Sequence, residues 1–163
     1  MTTQTQKEIK HTWYFNQSPQ EVWKYLTKPE LIEQWLMKTD FQPIVGHKFY
    51  FIGGCDHEEK TAAHCKVLEV KPYTRLSYSW QANSVSNNKP FNSKVVWTLV
   101  LKEQGTELQL IHNGFKVLED VILHNDGWTR IGYKMVERLN AVKICQHKRL
   151  TPSRLLRIRA AGK

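Results

Sequence analysis

The first residue that invites chemistry is His112, near the end of "GTELQLIHNGF" (105–115). An imidazole can act as a base, orient a ligand or hold a structural hydrogen bond. The alternation Leu108, Leu110, His112 puts the ring on the apolar side of a strand. As a base it would need a Ser, Cys or carboxylate partner in a recognisable arrangement, and the sequence presents none. Two expectations remain. The ring bonds a backbone carbonyl and fixes the turn at Gly114, or it makes a polar contact with a ligand.

A second group is Cys55, Asp56, His57, His64 and Cys65. Zinc sites favour Cys and His separated by two to four residues. Cys55 and His57 have only one residue between them, and the adjacent His64 and Cys65 would leave opposite faces of a strand. The expectation is two strand ends joined by a polar loop, with no metal and no cofactor. There is also no Gly-rich phosphate loop, no Ser-His-Asp arrangement and no catalytic carboxylate pair. Lone acids such as Asp120 and Glu137 read as solvated.

The aromatic residues carry more information. The chain has six Trp, six Tyr and six Phe in 163 residues. Trp23 and Trp35 fall on helical patterns and read as core. Trp13, Trp80 and Trp97 fall on strands and Trp128 opens a long helix, so these four can line a cavity.

The elements that must position them follow from periodicity. "IKHTWYFNQ" (9–17) alternates, with Ile9, His11, Trp13 and Phe15 on one side. Ser18, Pro19 and Glu21 then give an N-cap, a first-turn proline and a capping box. "KPE" (28–30) ends that helix, and "PELIEQWL" starts a second one, burying Leu31, Trp35 and Leu36. "DFQPIVGHKFYFIGG" reads as a strand to Ile44, a turn near Gly46 and a strand through Phe49 and Phe51. Strands over 64–71 and 75–81 flank a corner at Pro72. "ANSVSNNKP" (82–90) has turn chemistry and is expected to be the most mobile loop. "SKVVWTLVLKEQGTELQLIHNGF" reads as a hairpin turning at Glu103-Gln104-Gly105. "NDGWTRIGYKMVERLNAVKICQ" is a long helix capped by Asn125 or Asp126, with Trp128, Ile131, Gly132, Met135, Leu139 and Val142 on one side. The expected fold is α+β: a curved antiparallel sheet wrapped around a long C-terminal helix, with two short helices after the first strand.

Composition bounds the rest. No stretch is long and apolar enough to span a bilayer, and the polar "MTTQTQKEIK" start does not resemble a signal peptide. Three widely spaced cysteines without a CxxC pair suit a reduced compartment, so a cytoplasmic location is expected. The net charge is +9. Seven of those charges lie on Lys143, Lys148, Arg149, Arg154, Arg157, Arg159 and Lys163, a stretch without an acid. The first 142 residues carry 17 basic and 15 acidic side chains and show no basic stripe, which argues against a nucleic-acid partner. A domain over 1–146 is expected, followed by a solvated basic tail over 147–163.

Four segments in order carry a family resemblance: "SPQEVWKYLTKPELIEQW", "VLEVKPYTRLSYSW", "VVWTLVLKEQGTELQLIHNGF" and "NDGW". Over residues 8–145 the chain resembles the START-like (SRPBCC) superfamily. Within it, the chain is similar to the domain named for activators of the heat-shock-protein-90 ATPase. Two positions depart from that pattern, His47 after Gly46 and Cys65 in place of a frequent glycine. The resemblance implies a helix-grip fold with a hydrophobic cavity between sheet and C-terminal helix. The residues expected there are Trp13, Phe49, Phe51, Tyr78, Trp80, Trp97, Leu110, His112, Trp128, Ile131 and Met135. The expected function is non-enzymatic binding of a small hydrophobic or amphipathic ligand, oriented by His112 or Tyr78. The alternatives are a co-chaperone-like module acting on a chaperone ATPase, and a cyclase- or hydrolase-like enzyme using the same cavity.

Overall fold

The computed structural model describes residues 7–54, 58 and 60–149, with side chains described to residue 141. Strand β1 (Glu8–Phe15) leads into helix α1 (Pro19–Thr27) and the short α2 (Pro29–Ile32). Six strands follow: β2 (Lys38–Thr39), β3 (Lys48–Gly53), β4 (Lys60–Lys71), β5 (Arg75–Asn83), β6 (Pro90–Lys102) and β7 (Gly105–Asn113). Helix α3 (Leu118–Arg149) closes the described chain. The strands form one antiparallel sheet in the order β1-β7-β6-β5-β4-β3-β2. The α+β helix-grip expectation therefore holds, with a seven-stranded sheet gripping α3.

Local chemistry explains the boundaries. Ser18 Oγ accepts the backbone N–H of Glu21 at 3.3 Å, and Pro19 occupies the first helical turn of α1. The Glu21 carboxylate turns instead to Lys24 Nζ at 2.6 Å. In α2 the buried residue is Ile32 rather than Leu31, and the chain beyond it tightens into turns that bury Trp35. The strand expected from Asp40 to Ile44 does not form. Pro43 has no N–H to give a ladder, Asp40 Oδ1 accepts the N–H of Tyr50 at 3.1 Å, and Ile44 is exposed.

Helix α3 begins at Leu118, seven residues before the expected cap at Asn125. Asn125 and Asp126 lie inside it, and Asn125 Oδ1 bonds His11 Nε2 at 3.0 Å. The 84–89 loop, expected to be mobile, is laced by its own hydrogen bonds, among them Ser84 N–H to Lys89 O at 2.8 Å. It is also tied to α3, because Asp120 Oδ1 accepts the N–H of Val85 at 2.8 Å. Asp120 is 1% exposed, so its reading as a solvated acid is overturned, while Glu137 is exposed. The helix continues past residue 146, and residues 150–163, most of the expected tail, lie outside the described residues, as does the Val142 side chain.

Among the strands, α3 comes nearest to β1. Contact there is close because Gly132 faces Trp13: a Cβ on Gly132 would overlap the indole carbons Cε2 and Cζ2. Toward the middle of the sheet, large rings bridge the space between strands and helix.

Candidate functional site

The inward face of the sheet is a set of transverse rows. His112 on β7 stands opposite Val95 on β6, which stands opposite Tyr78 on β5 and then Val67 on β4. The next row carries Ser93, Trp80, Cys65 and Phe49. Another carries Leu110, Trp97 and Leu76. Period-two alternation alone sends these side chains to one face.

Phe49, Phe51, Tyr78, Trp80, Trp97, Leu110, His112, Trp128 and Met135 are all buried, while Trp13 and Ile131 pack partly buried against them. The rings touch. Trp128 from α3 lies 5.8 Å from Trp80 and 5.5 Å from Trp97, centroid to centroid. Phe51 lies 5.4 Å from Trp80 and 6.1 Å from Tyr78. Trp97 donates Nε1–H to Tyr78 Oη at 3.0 Å. These five side chains form a closed circuit between sheet and helix, where an open cavity was expected. Each such ring pair adds roughly 0.5–1.5 kcal/mol beyond its buried area.

His112 is fully buried and both ring nitrogens are committed. Trp128 donates Nε1–H to Nδ1 at 3.0 Å. An indole nitrogen can only donate, so Nδ1 is the acceptor and the proton of the neutral ring sits on Nε2. Nε2–H then donates to Ser93 Oγ at 2.7 Å, and Ser93 passes its own hydrogen to Trp80 O at 3.1 Å. The chain runs in one direction, from indole to backbone carbonyl. A general base for Ser93 would need the opposite tautomer, with a free lone pair on Nε2. Burial, reinforced by nearby His124, holds the His112 pKa down at about 3. The ring is therefore a neutral strut between β7, β6 and α3.

Ser93 and His124 are the partners that sequence reasoning missed. Ser93 left one signal, a lone polar residue on the inward face of "FNSKVVW". His124 left none, because α3 was expected to start after it. Its Nδ1 donates to the backbone oxygen of Asp120 at 2.7 Å, and its ring packs against Phe115, His112, Phe91 and Trp80. Burial lowers its pKa too.

Cys65 points inward beside Trp80, and burial pushes its thiol pKa up, away from a reactive thiolate. His64 faces the other way and is exposed. Cys55, Asp56 and His57 lie outside the described residues. Among the described residues no three metal-binding side chains gather. A separate cleft of about 470 Å³ opens on the outer side of α3, lined by Gln34, Lys134, Glu137, Arg138 and Ala141. None of the expected site residues reaches it.

Comparison with known proteins agrees with this architecture. Residues 16–140 match the family described as "Activator of Hsp90 ATPase homolog 1-like protein". Among solved structures, protein MLL2253 from Mesorhizobium loti is 31% identical, with a TM-score of 0.74 over 82% of this chain and 97% of that one. CalU16 from Micromonospora echinospora is 22% identical, with a TM-score of 0.67 over 86% and 82%. The Aha1 dimer from Colwellia psychrerythraea is 16% identical, with a TM-score of 0.64 over 81% and 95%. No curated protein matches the sequence. Among the described residues, no helix is long and apolar enough to cross a membrane.

Proposed function

The chain belongs to the Activator of Hsp90 ATPase homolog 1-like family, and from that premise we propose that it binds a small hydrophobic or amphipathic molecule between the sheet and α3. The observation that carries this reading is the uneven distance between sheet and helix. Trp13 and Gly132 fix α3 against β1, whereas toward β5 and β3 only side chains bridge the space. Trp80, Trp97 and Trp128 reach into this space as side chains, so turning them aside would leave the strand ladders whole while giving up the Trp97–Tyr78 and Trp128–His112 hydrogen bonds. Removing apolar ligand surface from water contributes about 25 cal/mol per Å² before binding costs, and ring-to-ligand contacts replace ring-to-ring contacts.

A protein-binding role stands second. It is favoured by Leu118, Ile122 and Leu123, exposed at the start of α3 near an exposed Val85. The two readings separate in one experiment. An uncharged naphthalene fluorophore titrated into the protein should show saturable energy transfer from the buried tryptophans. Ile122→Ser should leave that affinity unchanged, because the residue lies outside the interior. Absence of saturable binding, or its loss in Ile122→Ser, contradicts the interior site.

A further inference from the structure

Among the described residues, two hydrogen-bond donors on the inward face of β5 have no acceptor. Trp80 is 4% exposed, and its Nε1–H has no partner. Tyr78 Oη accepts from Trp97 Nε1, which leaves the phenol's own hydrogen to give, and no second bond of Tyr78 exists among the described residues. The two side chains are two residues apart on β5 and share its inward face, roughly 6–7 Å apart at their roots. Both rings lie against Phe51. Native proteins pair nearly all buried donors, so two unmatched ones side by side are informative. Ser77 Oγ and Thr39 Oγ1 are also buried without partners. Ser77, however, alternates to the opposite face of β5, and Thr39 sits on the short edge strand.

Resting on the interior-binding reading, we propose that the ligand is an uncharged apolar molecule bearing a carbonyl-type acceptor, received by the Tyr78 O–H and the Trp80 N–H. A ligand hydroxyl or amide would bring a further hydrogen into a site already rich in donors. The nearby Cys65 sulfur is only a weak acceptor. A carboxylate would need a buried cation. The nearest titratable ring, His112, has both nitrogens engaged and is held neutral by burial. A ketone, ester or quinone carbonyl meets all three constraints.

The test compares acetylnaphthalene with isopropylnaphthalene, which share shape and differ in the carbonyl. Their dissociation constants are measured on the parent protein, Tyr78→Phe and Trp80→Phe, with circular dichroism confirming each fold. The parent should hold the ketone roughly tenfold more tightly than the hydrocarbon. Each substitution should shrink that ratio, whatever it does to the affinity for the hydrocarbon alone. Should Tyr78→Phe unfold, the parent ratio and Trp80→Phe decide the matter. Equal affinities in the parent, or a preference that survives both substitutions, overturn the acceptor proposal while leaving interior binding intact. Failure of both compounds to bind removes the interior site itself, and this proposal with it.

Discussion

The indole of Trp13 lies against the backbone of Gly132 so closely that no Cβ fits at residue 132. This contact sets the distance between β1 and α3. It also makes a helix-interior glycine an asset, although alanine is favoured there by about 1 kcal/mol on propensity alone. Gly132→Ala should destabilise the protein by about 1–3 kcal/mol, because overpacking outweighs propensity. Adding Trp13→Ala should remove most of that penalty. Urea denaturation of both single variants and the double gives the coupling directly. A stabilised Gly132→Ala would mean that the helix does not rest on Trp13.

His112 makes stability depend on pH. Its pKa is about 3 in the fold and about 6.5 in the unfolded chain. Between these values the unfolded chain binds the extra proton, so stability rises with pH. The contribution is complete above pH 6.5 and is lost as pH falls toward 3. Its size is on the order of 4–5 kcal/mol at most. His124 acts in the same direction. Replacing His112 by Gln keeps a donor and an acceptor but removes the titration, so urea midpoints at pH 7 and pH 4.5 should differ less than in the parent. Parallel pH profiles would contradict a buried neutral ring.

His112→Leu probes the same strut differently. It leaves the Trp128 N–H without an acceptor inside the protein, at a cost of about 1–3 kcal/mol, whereas His112→Gln should cost less. Equal losses in the two variants would show that the ring's shape matters and its hydrogen bonds do not.

Asp120 anchors the 84–89 loop through the Val85 N–H. Asp120→Ala should expose that amide, cost about 1–2 kcal/mol and speed hydrogen exchange at Val85. Asp120→Asn retains an acceptor oxygen and should do less. Unchanged exchange at Val85 in the alanine variant would show that the loop's own bonds suffice.

Local rules carried much of the architecture. The Ser18-Pro19 start of α1, the corner after Pro72 and the alternation on β1, β5 and β7 are short-range features, and the sequence displays them. The misplaced start of α3 has a physical cause. The inward side of its first turns carries Asp120, Val121 and His124, while Leu118, Ile122 and Leu123 are exposed, so the apolar residues there do not mark the buried face, and Asn125 and Asp126 resembled a cap while lying inside the helix. The Asp40–Ile44 segment contains apolar residues at strand-like spacing, but Pro43 and the Asp40 side chain take its backbone elsewhere. At the site, alternation correctly turned His112 inward. Its partners Ser93 and Trp128 come from other elements, and sequence spacing carries no record of which side chains meet across a sheet.

The most direct test of interior binding reads the six tryptophans one by one. A nitrogen–proton correlation spectrum gives each indole N–H its own resonance, assignable by single Trp→Phe substitutions. On titration with acetylnaphthalene, the account predicts saturable shifts at Trp80, Trp97 and Trp128, while Trp23, whose ring meets Tyr73 and none of these three, stays nearly still. Saturation that leaves Trp80, Trp97 and Trp128 unmoved, or shifts confined to Trp23, would contradict it.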